Sequence, residues 1–341
     1  MTSESGLHIT SSYLLDALNF FNILTGDPFY TQRHEDAWAL WRERLGEEPL
    51  GHVSAAAQAY GKTMIGPQLA LVISAMPDFD TLSLSEALSD TNRIEEHFRD
   101  SRHYAEDWQK SAALCHALFP VAHALEERGF QEYWLTERLP AIEASIERMH
   151  SLDHGVDLEE LTAAMLGDAG DSGDIFLYMC SFASPHGIRI SGRAYISDMS
   201  FSPESTLRIA IHEMFHPPYR RSDIEQEAAA LQSDPLFVES FEGQNPNAGY
   251  STEDKFLEEN VVEAMEVWVS SRAGLLPDPL KYLQEHDEGS HRLSVILARA
   301  FDTVPRRRGE TFTTYFRRLV KELPVGKLRE EYERIVESRA I

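Results

Sequence analysis

Residues 202–218 read Ser-Pro-Glu-Ser-Thr-Leu-Arg-Ile-Ala-Ile-His-Glu-Met-Phe-His-Pro-Pro. The segment opens as a helix should, with Ser202 as N-cap, Pro203 at the first helical position and Glu204 in the first turn. At about 100° per residue, Leu207, Ala210, Ile211, Met214 and Phe215 form one apolar arc. His212 and His216 are four residues apart, so they lie together outside that arc, one turn above the other. Two imidazoles need this spacing to bind one metal ion from a single helix. Glu213 lies about 100° round from His212, where a carboxylate reaches a water on that metal without ligating it. Zinc lowers the pKa of such a water toward ~7, and Glu213 is the residue placed to take its proton and return it to a leaving group. The bland reading of the same five letters is a helix with two surface histidines and a solvated acid. The clean cap and the separate apolar arc favour the metal.

Working outward, the flanks predict an α+β chain that is predominantly helical. Upstream, Ile175–Met179 is strand-like, and Gly187–Ile196 is a second strand candidate with Ile188 and Ile190 on one face. Ser184-Pro185-His186-Gly187 supplies the turn between this short strand pair. Residues 10–165 read as helices: Tyr13–Leu24 stopped at Gly26-Asp27-Pro28, His34–Leu45, Ser101–Arg128 broken near Phe119-Pro120, Tyr133–Met149, and Asp153–Leu166. Downstream, helices are expected over about 224–241, 253–273, 290–302 and 309–338. The Gly- and Asp-rich stretch Gly167–Gly173 then separates a helical N-terminal region, 1–166, from a region of strands followed by helices, 167–341.

Two histidines and a water do not complete a catalytic zinc site; a third protein ligand is required. An extended motif with a glycine three residues past the second histidine and another histidine three further on is excluded, because Tyr219 and Ser222 stand there. The best source is the stretch Leu257–Gly274. Plotted as a helix, Glu259, Glu263 and Glu266 fall within about 60° of one another. Apolar residues cover almost all the remaining circumference. A buried column of carboxylates is costly unless a cation neutralises it, and a metal ion is the obvious cation.

These residues resemble zinc metallopeptidases of the gluzincin kind, within the broader zincin clan. The resemblance spans about residues 174–273, and its one specific motif is His-Glu-x-x-His. It implies a third ligand, a Glu, on a later helix, and an acid four residues beyond it that holds a ligating histidine in place. Glu259 as ligand and Glu263 as that orienting acid match the arrangement. Glu263 as ligand is the alternative, with Val267 then at the orienting position. The resemblance also implies a zincin-like catalytic region, with an edge strand lining the cleft, a part for which Gly187–Ile196 is positioned. Two departures stand out. Pro217-Pro218 should end the metal helix early, and a long stretch with the loop Gly243–Gly249, a candidate lid, separates His216 from Glu259.

Composition limits the alternatives. The formal net charge of −25 repels a phosphate backbone and anionic membrane surfaces, so neither nucleic acid nor membrane is an expected partner. The longest apolar run is too short to cross a bilayer. Two cysteines are too few for a disulfide framework, and residues 1–6 lack a secretory signal's features, so a cytoplasmic location is expected. An oxyanion donor could come from Tyr195, Tyr219, Tyr250, His286 or His291. His116 and His123 read as core-edge residues, His97 and His103 as part of a solvated face, and His150 with His154 lacks an acid stripe. Three functions fit: a zinc metallopeptidase acting on a peptide or small amide; a zinc-dependent deacylase or deformylase; and a non-catalytic helical binding protein whose metal is structural.

Overall fold

The computed structural model describes residues 7–101, 103–151, 158–166, 174–245 and 250–339. It is mostly helical with one small sheet, an α+β arrangement. The chain divides into two compact units, each built from two pieces: 1–152 with 173–206, and 153–172 with 207–341. This differs from a contiguous division at 166/167. The strands after residue 173 fold with the N-terminal helices instead of with the helices that follow them.

In the first unit, helix Tyr13–Leu24 is buried along all but its first residue. Ser12 caps it by accepting from the Leu15 amide at 3.2 Å. Helix Gly66–Ile73 packs so closely on it that a Cβ at Gly66 would sit 2.7 Å from the Asn19 Cα. Asn22 Oδ1 caps that neighbour by accepting from the Ile65 and Gly66 amides, both at 2.8 Å. Phe20 of this helix packs with Trp41, Phe130 and Phe182 into an aromatic core. Asp16 is fully buried within it and accepts from Trp134 Nε1 and the Phe182 amide, each at 2.7 Å. Burial pushes its carboxyl up to about 6, against the pull of those hydrogen bonds.

The sheet has the order β1 (Leu7–Thr10), β2 (Ile175–Cys180), β4 (Ala194–Asp198), β3 (Gly187–Arg189). β1 and β4 run parallel to β2, with Leu7 opposite Ile175 and Leu177 opposite Tyr195. β3 pairs antiparallel with β4, Ile188 opposite Ile196. The single strand expected over Gly187–Ile196 is therefore two. Gly192, at φ +68°, reverses the chain inside it, and the Ile190 amide donates to Ala194 O at 2.9 Å to close the hairpin. Only the first half of the expected strand lies at the sheet edge.

Several helices also depart from expectation. Tyr104–Glu127 runs unbroken through Pro120, because Pro120 faces solvent while Leu114, Cys115, Leu118, Val121, Ala122 and Leu125 are buried on the other side. That apolar face outweighs the cost of a missing hydrogen bond. His116 and His123 are exposed on this helix. The helix expected over 224–241 splits into Glu225–Gln232 and Pro235–Gly243, since Asp234 turns to cap the second by accepting from the Leu236 amide at 2.9 Å. Likewise 309–338 divides into Phe312–Glu322 and Leu328–Ser338 around Pro324 and Gly326, the latter at φ +91°. The short helix expected over Asp153–Leu166, before the boundary, is described over Leu158–Leu166; the turn Gly167–Gly173 lies outside the described residues.

The second unit is organised by the acidic helix Glu253–Arg272, which packs against Arg292–Thr303, Pro279–Glu285, Glu225–Gln232 and Leu158–Leu166. Thr252 caps it through the Lys255 amide at 3.3 Å. Enclosure on so many sides explains why Glu263 and Glu266, as well as its apolar residues, are buried. Among the described residues, no helix is long and apolar enough to cross a membrane.

Candidate metal centre

The motif helix spans Pro203–Met214, with Ser202 accepting from the Ser205 amide at 3.2 Å. Leu207, Ala210, Ile211 and Phe215 are its buried face. Its last turn tightens: the Phe215 amide donates to His212 O at 3.0 Å and the His216 amide to Glu213 O at 3.4 Å, each three residues back. Pro217 explains the ending, having no amide to offer and disfavouring helical geometry in the residue before it. His216 thus stands just past the helix, yet its ring still meets that of His212.

The two Nε2 atoms lie 3.1 Å apart. Glu259 places Oε1 3.1 Å from His212 Nε2 and Oε2 3.6 Å from His216 Nε2. Tetrahedral zinc with bonds of about 2.1 Å would require ligand atoms about 3.4 Å apart. The three observed separations bracket that value, so this donor set fits a zinc ion with little movement. The three side chains keep 14–21% exposure, so the cluster is not sealed from solvent. Burial disfavours an imidazolium at His212, but the Glu259 carboxylate, with the charges of Glu213 and Glu266, outweighs it and holds the ring at about 9. Burial also works against the Glu259 anion, and His212, His216 and His291 reverse that and hold it down at about 2.

His216 has a second anchor that the sequence reading missed. Its Nδ1 lies 3.0 Å from Glu258 Oε1, in hydrogen-bonding geometry. Glu258 therefore fixes the ring so that Nε2 faces Glu259 and His212, the position the resemblance assigned to Glu263. The available signal was the pair Glu258-Glu259: adjacent acids on a helix point about 100° apart, one able to meet a ligand position and the other to reach around it. Glu258→Ala is expected to weaken zinc binding about 10- to 100-fold, with Glu258→Gln restoring part of it because an amide oxygen still accepts from Nδ1. Zinc titration against a chromophoric chelator measures this, and equal affinity in all three proteins would remove Glu258 from the site.

The column Glu259, Glu263, Glu266 exists, but its members meet different partners. Glu263 does not orient His212 or His216. Its Oε2 accepts from His291 Nδ1 at 2.6 Å and from Ser294 Oγ at 3.0 Å, and its Oε1 lies 3.0 Å from His286 Nδ1. Glu266 accepts from Arg208 Nε at 2.8 Å and Ser270 Oγ at 3.0 Å, while the Arg208 guanidinium lies 3.9 Å over the Tyr282 ring. A single metal is thus not what balances the whole stripe; two histidine groups and one arginine share it.

The proposed oxyanion donors are dispersed. Tyr250 stands among the carboxylates: its hydroxyl donates to Asp287 Oδ2 at 3.4 Å, and burial, with the charges of Glu259, Asp287 and Glu263, holds it protonated far above the usual phenol range. Tyr219 stacks on Phe316, and burial with the charge of Glu258 raises it too. His286 and His291 belong to the Glu263 group. Tyr195 is buried in β4, in the first unit. Of the candidate lid, residues 246–249 lie outside the described residues. Its described start is tied down, with Gln244 Nε2 donating to Tyr250 O at 3.3 Å and Asn245 Nδ2 to Glu288 Oε1 at 3.1 Å.

Comparison with protein-family models, with curated proteins and with solved structures returns no match to the chain.

Proposed function

We propose that the protein is a zinc-dependent hydrolase that cleaves amide bonds, as a metallopeptidase of the gluzincin kind does. The observation that carries this reading is the meeting of His212 Nε2, His216 Nε2 and the Glu259 carboxylate at spacings of 3.1–3.6 Å. Three ligands in a cluster not sealed from solvent suit catalysis, since structural zinc sites are closed by four. That consideration favours an enzyme over a scaffold with a structural metal.

Zinc held by these three residues would supply Lewis acidity and bring a coordinated water's pKa toward ~7. The chain's own groups do the rest. Glu213, half-buried and on the same helical turn as His212, is the base that takes a proton from the attacking water and passes it to the departing amine. Glu258 keeps His216 turned toward the other two ligands. Tyr250 stays protonated near Glu259, so it is the candidate best suited to donate to charge developing on a carbonyl oxygen.

Zinc-loaded protein incubated with a peptide library and, in parallel, with acylated small amines tests the reading. Chelator-sensitive cleavage of peptides is the expected result. Release of acyl groups from small amines alone would move the assignment to a deacylase, and no hydrolysis of either set would overturn it.

A further inference from the structure

Within the second unit, one helical turn along the acidic helix from Glu259, Glu263 gathers His286 and His291, with potential ligand atoms all within 4.8 Å of one another. We propose that these three residues form a second, separate divalent-metal site, of the two-histidine, one-carboxylate kind that takes zinc or a similar borderline cation.

The atoms at its centre are the reason. Glu263 and His291 have side chains only 2% and 0% exposed. Glu263 Oε1 and His286 Nδ1 pair at 3.0 Å without the alignment of a hydrogen bond, and both atoms are buried. His291 Nε2 is likewise buried and makes no hydrogen bond, with Asp287 Oδ2 3.8 Å away. Leaving a buried polar atom unsatisfied is costly, more so when it is charged, so three such atoms in one cluster call for a missing partner. A cation between Oε1 and Nδ1 satisfies two of them at once. Their separation is a few tenths of an ångström short of the ~3.4 Å edge expected around tetrahedral zinc.

The chain around the site is shaped to converge there. His286 and His291 flank a tight turn in which Asp287, Glu288 and Gly289 take φ of +43°, +58° and +71°. Asp287 and Glu288 carry side chains in the left-handed region, which disfavours them. The turn brings both rings to the same carboxylate. Ser294 Oγ, bonded to Glu263 Oε2 at 3.0 Å, steadies the acid from the other side. His286 remains 39% exposed, which gives a metal a route in and a water a place to complete its coordination. A bound ion would pin the turn after helix Pro279–Glu285 to the acidic helix. It involves none of His212, His216 or Glu259, so it stands or falls apart from the hydrolase reading.

The test is zinc stoichiometry. Purified full-length protein is stripped with chelator, reloaded with Zn²⁺ alone, desalted and measured for metal by mass spectrometry, with circular dichroism as a check on folding. His286→Ala, at a half-exposed position, is expected to bind one equivalent fewer than the wild-type chain. Glu263→Gln should lose that same equivalent, and His212→Ala should keep it while losing the other. Cobalt titration gives a second readout, with the visible absorption of one bound Co²⁺ missing in His286→Ala. If His286→Ala and Glu263→Gln bind as much zinc and cobalt as the wild type, the second site does not exist.

Discussion

Glu213→Gln is expected to lower the turnover of amide hydrolysis by about 100- to 10,000-fold while leaving zinc content unchanged. Glutamine has the shape of glutamate but cannot accept a proton at neutral pH, so the change removes one function and little else. At about 1.4 kcal/mol per factor of ten, the loss corresponds to about 3–6 kcal/mol of transition-state stabilisation. Glu213 is well placed to show so clean an effect, because the ligand contacts run through His212, His216 and Glu259 and not through it. The measurement is kcat for a cleaved peptide, with zinc determined on the same preparation. Undiminished activity would sink Glu213 as the base, and loss of zinc along with activity would make it a ligand.

Glu259→Ala is expected to abolish zinc binding at this site, weakening it by more than the roughly 100-fold upper range seen when only an outer partner of a ligand is lost. Two imidazoles remain in that variant, and the negative charge that favours a dication does not. The equivalent of zinc removed should be the one His212→Ala removes, and peptide hydrolysis should vanish with it. A Glu259→Ala protein that retains this equivalent would return the third-ligand role to another carboxylate, and Glu258 is the one already touching His216.

What could be read in advance was local. The two histidines share a helical spacing, Ser202-Pro203 marks a start and Pro217 a stop, and all of these act within a few residues. The acidic stripe was legible for the same reason, since a helix repeats on a fixed angle. Its partners were not, because His286, His291 and Arg208 approach from segments that only tertiary packing brings near. Nor was β1, whose four residues pair with β2 across more than 160 residues of intervening chain and have no pattern of their own. The hairpin inside 187–196 turned on Gly192. A lone glycine in a strand-like run is as compatible with a bulge as with a reversal, and alternation of Ile188 and Ile190 suggested continuity. Glu258 was hidden by its neighbour, because a stripe defined by Glu259 leaves the adjacent residue off its axis.

The unequal partners of the three glutamates also set the longitudinal register of the acidic helix. If it slid by one turn, carrying Glu263 to the place of Glu259, the pair His286 and His291 would face Val267 and Arg208 would face Ser270. An arginine and a histidine pair would lose their acid partners in the interior, a penalty of several kcal/mol that no apolar contact recovers. A uniformly greasy helix has neighbouring alignments of nearly equal energy; this one has a key cut at three depths. The carboxylate that meets the histidine pair is thereby chosen by the whole length of the rod, and its placement does not wait on the metal's arrival.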